Sequence, residues 1–122
     1  MTEAQQIMFT VLGPPQPKAR ARVVNGRAYT PKSTAQYEQA VKAAALRAIK
    51  RGWPLDARYS VLLTVTFADR RRRDLDNVLK AVMDACNGVV WRDDCQVDVI
   101  AVYRCEPSAK GAKTTVAVDV IA

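Results

Sequence analysis

The chain has 122 residues, enough for one domain spanning residues 1–122 around one compact core and too few for two. Hydrophobic residues make up 49% and charged residues 25%, ordinary for a globular protein, but nineteen Lys and Arg stand against twelve Asp and Glu. The resulting net charge of +7 favours polyanionic partners, nucleic acid first and an anionic membrane surface second, while the absence of histidine excludes imidazole acid–base catalysis and His-ligated zinc.

In chain order, Ile7 to Leu12 is a short β-prone run that Gly13-Pro14-Pro15 ends, since proline cannot continue a strand ladder. A segment rich in Pro, Lys and Arg follows, with Lys18, Arg20 and Arg22. Asn25-Gly26 between the β-capable flanks Val23-Val24 and Arg27-Ala28-Tyr29 predicts a two-residue hairpin, because a type I′ turn needs φ > 0 at both positions. Ser33 and Gln36 have capping-box spacing, and Tyr37, Val41, Ala44, Ala45, Ala48 and Ile49 recur at helical spacing. Lys50, Arg51 and Gly52 suit a helix end, and Pro54 bars its resumption.

Tyr59 to Ala68 is the clearest strand, with Val61, Leu63, Val65 and Phe67 on one face and Leu62, Thr64 and Thr66 on the other, a pattern compatible with burial on both sides. A second helix is expected from about Asp74 to Asn87, stopped by Gly88, with Leu75, Val78, Leu79, Val82 and Cys86 as its apolar stripe. Past a turn at Trp91-Arg92-Asp93-Asp94, two strands are expected over 96–104 and 114–121, joined by a solvated hairpin loop at 106–113. The order strand, hairpin, helix, strand, helix, strand, strand points to an α+β domain, a mixed β-sheet with two main helices packed on it.

Cys86, Cys95 and Cys105 are odd in number and form no Cys-x-x-Cys pair, so they read as small apolar core residues in a reducing cytosol rather than as disulfides or a zinc ribbon. No apolar run approaches the ~20 residues that span a bilayer. The first residues also lack a basic start and an apolar signal core, so a soluble cytoplasmic protein, off the membrane, is expected.

The chemically informative segment is Ala68-Asp69-Arg70-Arg71-Arg72-Arg73-Asp74-Leu75-Asp76-Asn77, at the junction of the long strand and the second helix. In an extended chain, Asp74 and Asp76 point to one side, roughly 6–7 Å apart along the backbone. Converging carboxylates make a hard, oxygen-only ligand set suited to Mg2+ or Mn2+. The plain alternative is a helix N-cap at Asp74 with Asp76 in a favourable first turn. Arg70 to Arg73 oppose the helix dipole and make sense if a phosphate arrives to meet both the guanidinium groups and the free helix N–H groups.

Lys80, four residues after Asp76, either forms a surface ion pair or stabilises transition-state charge on a phosphate. Asp84 continues that face, as a structural residue or a neighbour of the site. Asp93 and Asp94 read as turn residues. If the strands flanking the second helix are parallel, Asp94 starts at the sheet end opposite Asp74, and a shared site is expected to need antiparallel pairing or the second helix returning along the sheet.

Together, Asp69 to Asn77, Lys80, Asp84 and Trp91-x-Asp93-Asp94-x-Gln96-Val97 resemble the RusA-type Holliday-junction resolvases of phages and prophages, over nearly the whole chain from Pro14-Pro15 to the last strand. The resemblance implies a homodimeric, Mg2+-dependent endodeoxyribonuclease that nicks a four-way DNA junction symmetrically. It places metal-binding catalytic acids on Asp74, Asp76 and Asp94 and a functional lysine on Lys80. Asn77, Asp84 and Asp93 then stand beside the ligands, Mn2+ is an acceptable substitute for Mg2+, and a phage or prophage origin is implied.

The Arg70–Arg73 run would grip phosphates, with Lys18, Arg20, Arg22 and Arg27 extending the basic surface. Pro14-Pro15-Gln16-Pro17-Lys18 departs from the family's Pro-Pro-Ser-x-Asn, which bears on junction and sequence preference. Two rival readings are a non-catalytic DNA- or RNA-binding module whose acids are helix caps, and an inactive relative with a structural role.

Overall fold

The computed structural model describes residues 5–16, 22–29, 32–108 and 110–121, with the backbone alone at 22–24 and 27–29. The element order is β1 (Gln6–Leu12), β2 (Arg22–Val24), β3 (Arg27–Tyr29), α1 (Lys32–Ala48), β4 (Tyr59–Thr66), α2 (Leu75–Cys86), β5 (Val97–Arg104) and β6 (Lys113–Val120), with a 3-10 turn at Asp94–Gln96 leading into β5. β2 and β3 form the expected hairpin. Asn25 (φ 52°) and Gly26 (φ 77°) both take positive φ, as a type I′ turn requires.

The other strands form a mixed sheet in the order β1-β6-β4-β5, with β4 and β5 parallel and the remaining pairs antiparallel. Its inward residues, among them Ile7, Phe9, Val11, Val61, Leu63, Val65, Val116 and Val118, are buried under α1 and α2. The helices present their anticipated stripes: Tyr37, Val41, Ala44 and Ala45 from α1, and Val78, Val82 and Cys86 from α2. Tyr37 and Thr114 share a buried 2.6 Å hydrogen bond that ties α1 to β6. Burial pushes the Tyr37 hydroxyl up to about 12.

Four expectations are corrected. α1 starts at Lys32, so Ser33 already lies inside the helix and does not cap it. β4 is not covered on both sides, because Leu62, with Met8, Val99 and Tyr103, is exposed on the helix-free face.

β5 and β6 are not a hairpin: β4 lies between them, and the 105–112 segment crosses over the end of β4. There Cys105 donates to the Val65 carbonyl (2.8 Å) and Ser108 to that of Phe67 (3.3 Å). The physical reason is burial. β6 carries Val116, Ala117 and Val118, which suit a central position, whereas β5 leaves Val99, Ile100 and Tyr103 exposed and suits an edge. Finally, only Cys86 is a core cysteine, while Cys95 in the 3-10 turn and Cys105 past the edge strand are exposed.

Candidate active site

β4 ends under the crossover loop, and residues 67–74 lead from it into α2. Asp74 is the N-cap of α2, in extended conformation (φ −86°, ψ 101°). Its Oδ1 accepts from the backbone N–H groups of Asp76 (3.0 Å) and Asn77 (3.3 Å), and its Oδ2 accepts from the Asn77 side-chain amide (2.9 Å). The capping expectation is therefore met, and Asn77 is placed as the residue that orients Asp74. The same cap takes helix N–H groups that an arriving phosphate was expected to use, so anion recognition here falls to side chains.

The four arginines do not act alike. Arg70 pairs with Glu106 of the crossover loop (2.6 Å). Arg73 pairs with Asp69 (2.6 Å) and lies over the Phe67 ring, 4.3 Å from its centroid. Arg71 lies 3.9 Å from the same Asp69, whose carboxyl is lowered to about 2, chiefly by the Arg73 hydrogen bond. The expected dipole conflict is thus offset by neighbouring carboxylates. Arg72 is exposed and makes no ion pair among the described residues.

The sequence did not reveal Arg104, which donates to the carbonyls of Asp69 (3.2 Å) and Arg71 (2.7 Å) and lies 4.9 Å from the Phe67 centroid. Its partners are more than thirty positions away, and no local pattern signals them.

Asp76 is exposed in the first turn of α2, and Lys80 lies one turn further along the same face. Neither side chain has a hydrogen bond or ion pair among the described residues, so the surface pair weighed for Lys80 with Asp76 is not formed. Asp84 is half-buried and faces a groove with Glu38 and Lys42 of α1, away from Asp74. Two clefts flank the α2 N-terminus. One, about 560 Å³, is lined by residues that include Pro14, Pro15, Phe67, Arg72, Asp74 and Ala112, and the other, about 550 Å³, by Arg72 to Asp76.

Asp94 opens the 3-10 turn that precedes β5. Because β4 and β5 are parallel, that turn lies at the sheet end where β4 begins. The twelve residues of α2 put about 18 Å of helix between the two ends. One chain therefore does not bring Asp94 to Asp74 and Asp76. Consistently, no three His, Cys, Asp or Glu residues gather to hold a metal among the described residues.

The Asp74–Asp76 pair nonetheless suits Mg2+ in donor chemistry, because that ion commonly takes one or two carboxylates together with water and substrate phosphate. Among the described residues, Asp74 keeps acceptor capacity beyond its cap, and Asp76 keeps all of its own. Asp93 is committed locally, accepting from the Cys95 N–H (3.2 Å); its interaction with the Cys95 thiol first, and that N–H second, hold its carboxyl below the ordinary range. Lys18 and Arg20 lie outside the described residues, and the side chains of Arg22 and Arg27 are likewise not described.

Comparison with known proteins covers nearly the same span as the fold. The chain is 29% identical over 115 residues to the crossover junction endodeoxyribonuclease RusA of Aquifex aeolicus (strain VF5), covering 91% of this chain and 90% of that protein. The profile of the family described as endodeoxyribonuclease RusA matches residues 13–120, from the Pro-Pro loop through β6. The chain belongs to the RusA endodeoxyribonuclease family.

Proposed function

We propose that this protein is a Mg2+-dependent, structure-selective endodeoxyribonuclease that resolves four-way DNA junctions by paired symmetric nicks, with Mn2+ able to substitute. The observation that carries the reading is the α2 N-terminus. There a cap-oriented carboxylate, Asp74, stands two residues from an exposed one, Asp76, beside Arg72, neither of the latter paired among the described residues, and with Lys80 one turn on. Asp74 and Asp76 would hold the cation, which when bound supplies Lewis acidity and an activated water.

The chain's own side chains do the rest. The Asn77 amide fixes the Asp74 carboxylate. Arg72 grips a phosphate, and Lys80 faces the charge that builds on the scissile group. The Arg70–Glu106 and Arg73–Asp69 pairs hold the intervening loop in shape. Lys18, Arg20, Arg22 and Arg27 extend the basic surface along the DNA backbone.

Asp94 enters as the third acid through a second copy of the chain, because one copy keeps it at the far end of α2. Support for such a copy comes from edge strand β5, which presents Val99, Ile100 and Tyr103 to solvent. A two-fold dimer also matches the symmetry of a junction.

A non-catalytic basic module would explain Asp74 as a cap but gives no role to Asp76, which is unpaired among the described residues. Incubation with a synthetic four-way junction, a linear duplex and a single strand, each with and without Mg2+, separates the readings. Paired nicks confined to the junction and to Mg2+ are expected, and Asp76→Asn should abolish them while junction binding persists. Salt-sensitive binding without any metal-dependent cutting would leave the binding module as the function.

A further inference from the structure

The Gln96 side-chain amide, two residues from Asp94, makes four hydrogen bonds. Its Oε1 accepts from the backbone N–H groups of Arg92 (2.9 Å) and Asp93 (3.0 Å). Its Nε2 donates to the carbonyls of Leu55 (2.8 Å) and Ala57 (3.0 Å). Both acceptor sites and both N–H groups of the amide are thus used, and the residue is half-buried.

Together with Asp93, Gln96 completes a reciprocal capping box around the 3-10 turn. The backbone from 92 to 96 is closed on itself and fastened to the segment that leads into β4. Asp94 lies inside that closed turn, and its carboxylate has no hydrogen bond or ion pair among the described residues. Its position is therefore set by the backbone alone.

We infer that Gln96 is the positioning residue for Asp94, holding an otherwise unsupported carboxylate at the place from which it meets the metal. The inference rests on the reading of Asp94 as a metal-binding acid. Only a side-chain amide suits the position. Glutamate would accept from Arg92 and Asp93 but not donate to Leu55 and Ala57, and lysine would donate without accepting. The Arg92–Asp56 and Arg58–Asp98 ion pairs bracket the same turn, and Arg58 also donates to the Cys95 carbonyl (3.2 Å), but these contacts are exposed, and the ion pairs are screened by solvent, unlike the half-buried Gln96 amide.

Gln96→Met keeps the side-chain volume and removes all four bonds. Amide hydrogen exchange at Arg92 and Asp93 should accelerate in this variant. Mn2+ affinity, measured by water-proton relaxation, and single-turnover junction cleavage should each fall about 10–100-fold, as loss of an outer-sphere partner does. Junction affinity without divalent metal should not change. Tyr37→Phe, which removes the distant bond to Thr114, serves as the control for general destabilisation: it should lower Tm and leave Mn2+ affinity intact.

If Gln96→Met does not fold, Gln96→Asn, one methylene too short to span both partners, carries the same measurements. Wild-type Mn2+ affinity in the Gln96 variant, or a loss that simply follows Tm as in Tyr37→Phe, overturns the inference. Asp94→Asn tells the two failures apart. If it leaves metal binding and cutting intact, the reading of Asp94 falls and the inference with it. If it abolishes both while the Gln96 variant behaves as wild type, the inference alone falls.

Discussion

Arg72 and Arg73 are adjacent in sequence and differ in nearly everything that surrounds them. The Arg73 guanidinium is held between the Asp69 carboxylate and the Phe67 ring, with its side chain 29% exposed, while Arg72 projects into both clefts beside Asp74 without a partner among the described residues. A phosphate bound at Arg72 displaces no partner among the described residues, whereas at Arg73 it must break the pair with Asp69. Arg72→Ala is therefore expected to weaken junction binding and to reduce the slope of log affinity against log salt by about 1, with Tm unchanged. Arg73→Ala is expected to lower Tm and to affect binding only through the loosened loop. A salt titration beside a thermal melt checks both outcomes.

Asp69 adds a pH dependence to this loop. Its folded value, about 2, lies below the ordinary 3.8, so its contribution is complete above about pH 4 and is lost as pH falls toward 2. Protection of the Arg71 amide, which donates to Asp69 at 2.9 Å, should fall over that window and stay constant above it when its exchange is referred to the intrinsic rate at each pH. The Asp74-x-Asp76 spacing and its cap were legible in the sequence because both are local. The neutralisation of Arg70 was not, because Glu106 lies 36 residues away.

At the scale of elements, what could be read was what depends on period. The stripes of α1 and α2 and the inward face of β4 follow from spacings of 3.6 and 2, and each is buried as those spacings require. What could not be read was adjacency. A short polar linker between two strands suggests a hairpin, but here it carries the chain across β4, since the more apolar β6 gains more from the central position.

The α2–β5 connection is a turn, as its sequence suggests, but its burial is not legible there. Trp91 within it is fully buried, packs on Tyr59 at 5.7 Å between ring centroids, and donates its indole N–H to Asn87 (2.7 Å). Trp53 also stacks on Tyr59, at 6.0 Å between centroids, and donates to the Val90 carbonyl (2.8 Å). This aromatic cluster fastens the base of β4 to the segment that carries Asp94. Trp91→Ala is expected to cost about 3–5 kcal/mol of stability, measured by denaturant unfolding, a loss that a solvated turn residue would not produce.

For the whole molecule, the decisive fact is the parallel pairing of β4 and β5. The sequence left that pairing open, because the pattern strand, helix, strand admits either direction until the neighbours of each strand are known. Once it is parallel, α2 must return along the sheet, and Asp94 is delivered to the end opposite Asp74 and Asp76. If Asp94 serves the same reaction, each active centre takes α2 from one copy and the 3-10 turn from the other, and the two centres share no acid.

This arrangement makes a prediction that a single-chain site cannot. Asp76→Asn and Asp94→Asn homodimers should each be inactive on a four-way junction with Mg2+. After the two are mixed and allowed to exchange subunits, each mixed dimer has one centre that carries both substitutions and one that carries neither. Nicking should then return, but only at one strand per junction, because the second centre of that dimer is dead. If each centre were built within a single chain, both centres of a mixed dimer would carry one substitution and mixing would restore nothing. Analysis of the nicked products on a denaturing gel, before and after subunit exchange, therefore decides whether the separation of Asp94 from Asp76 in the fold is bridged by a second copy.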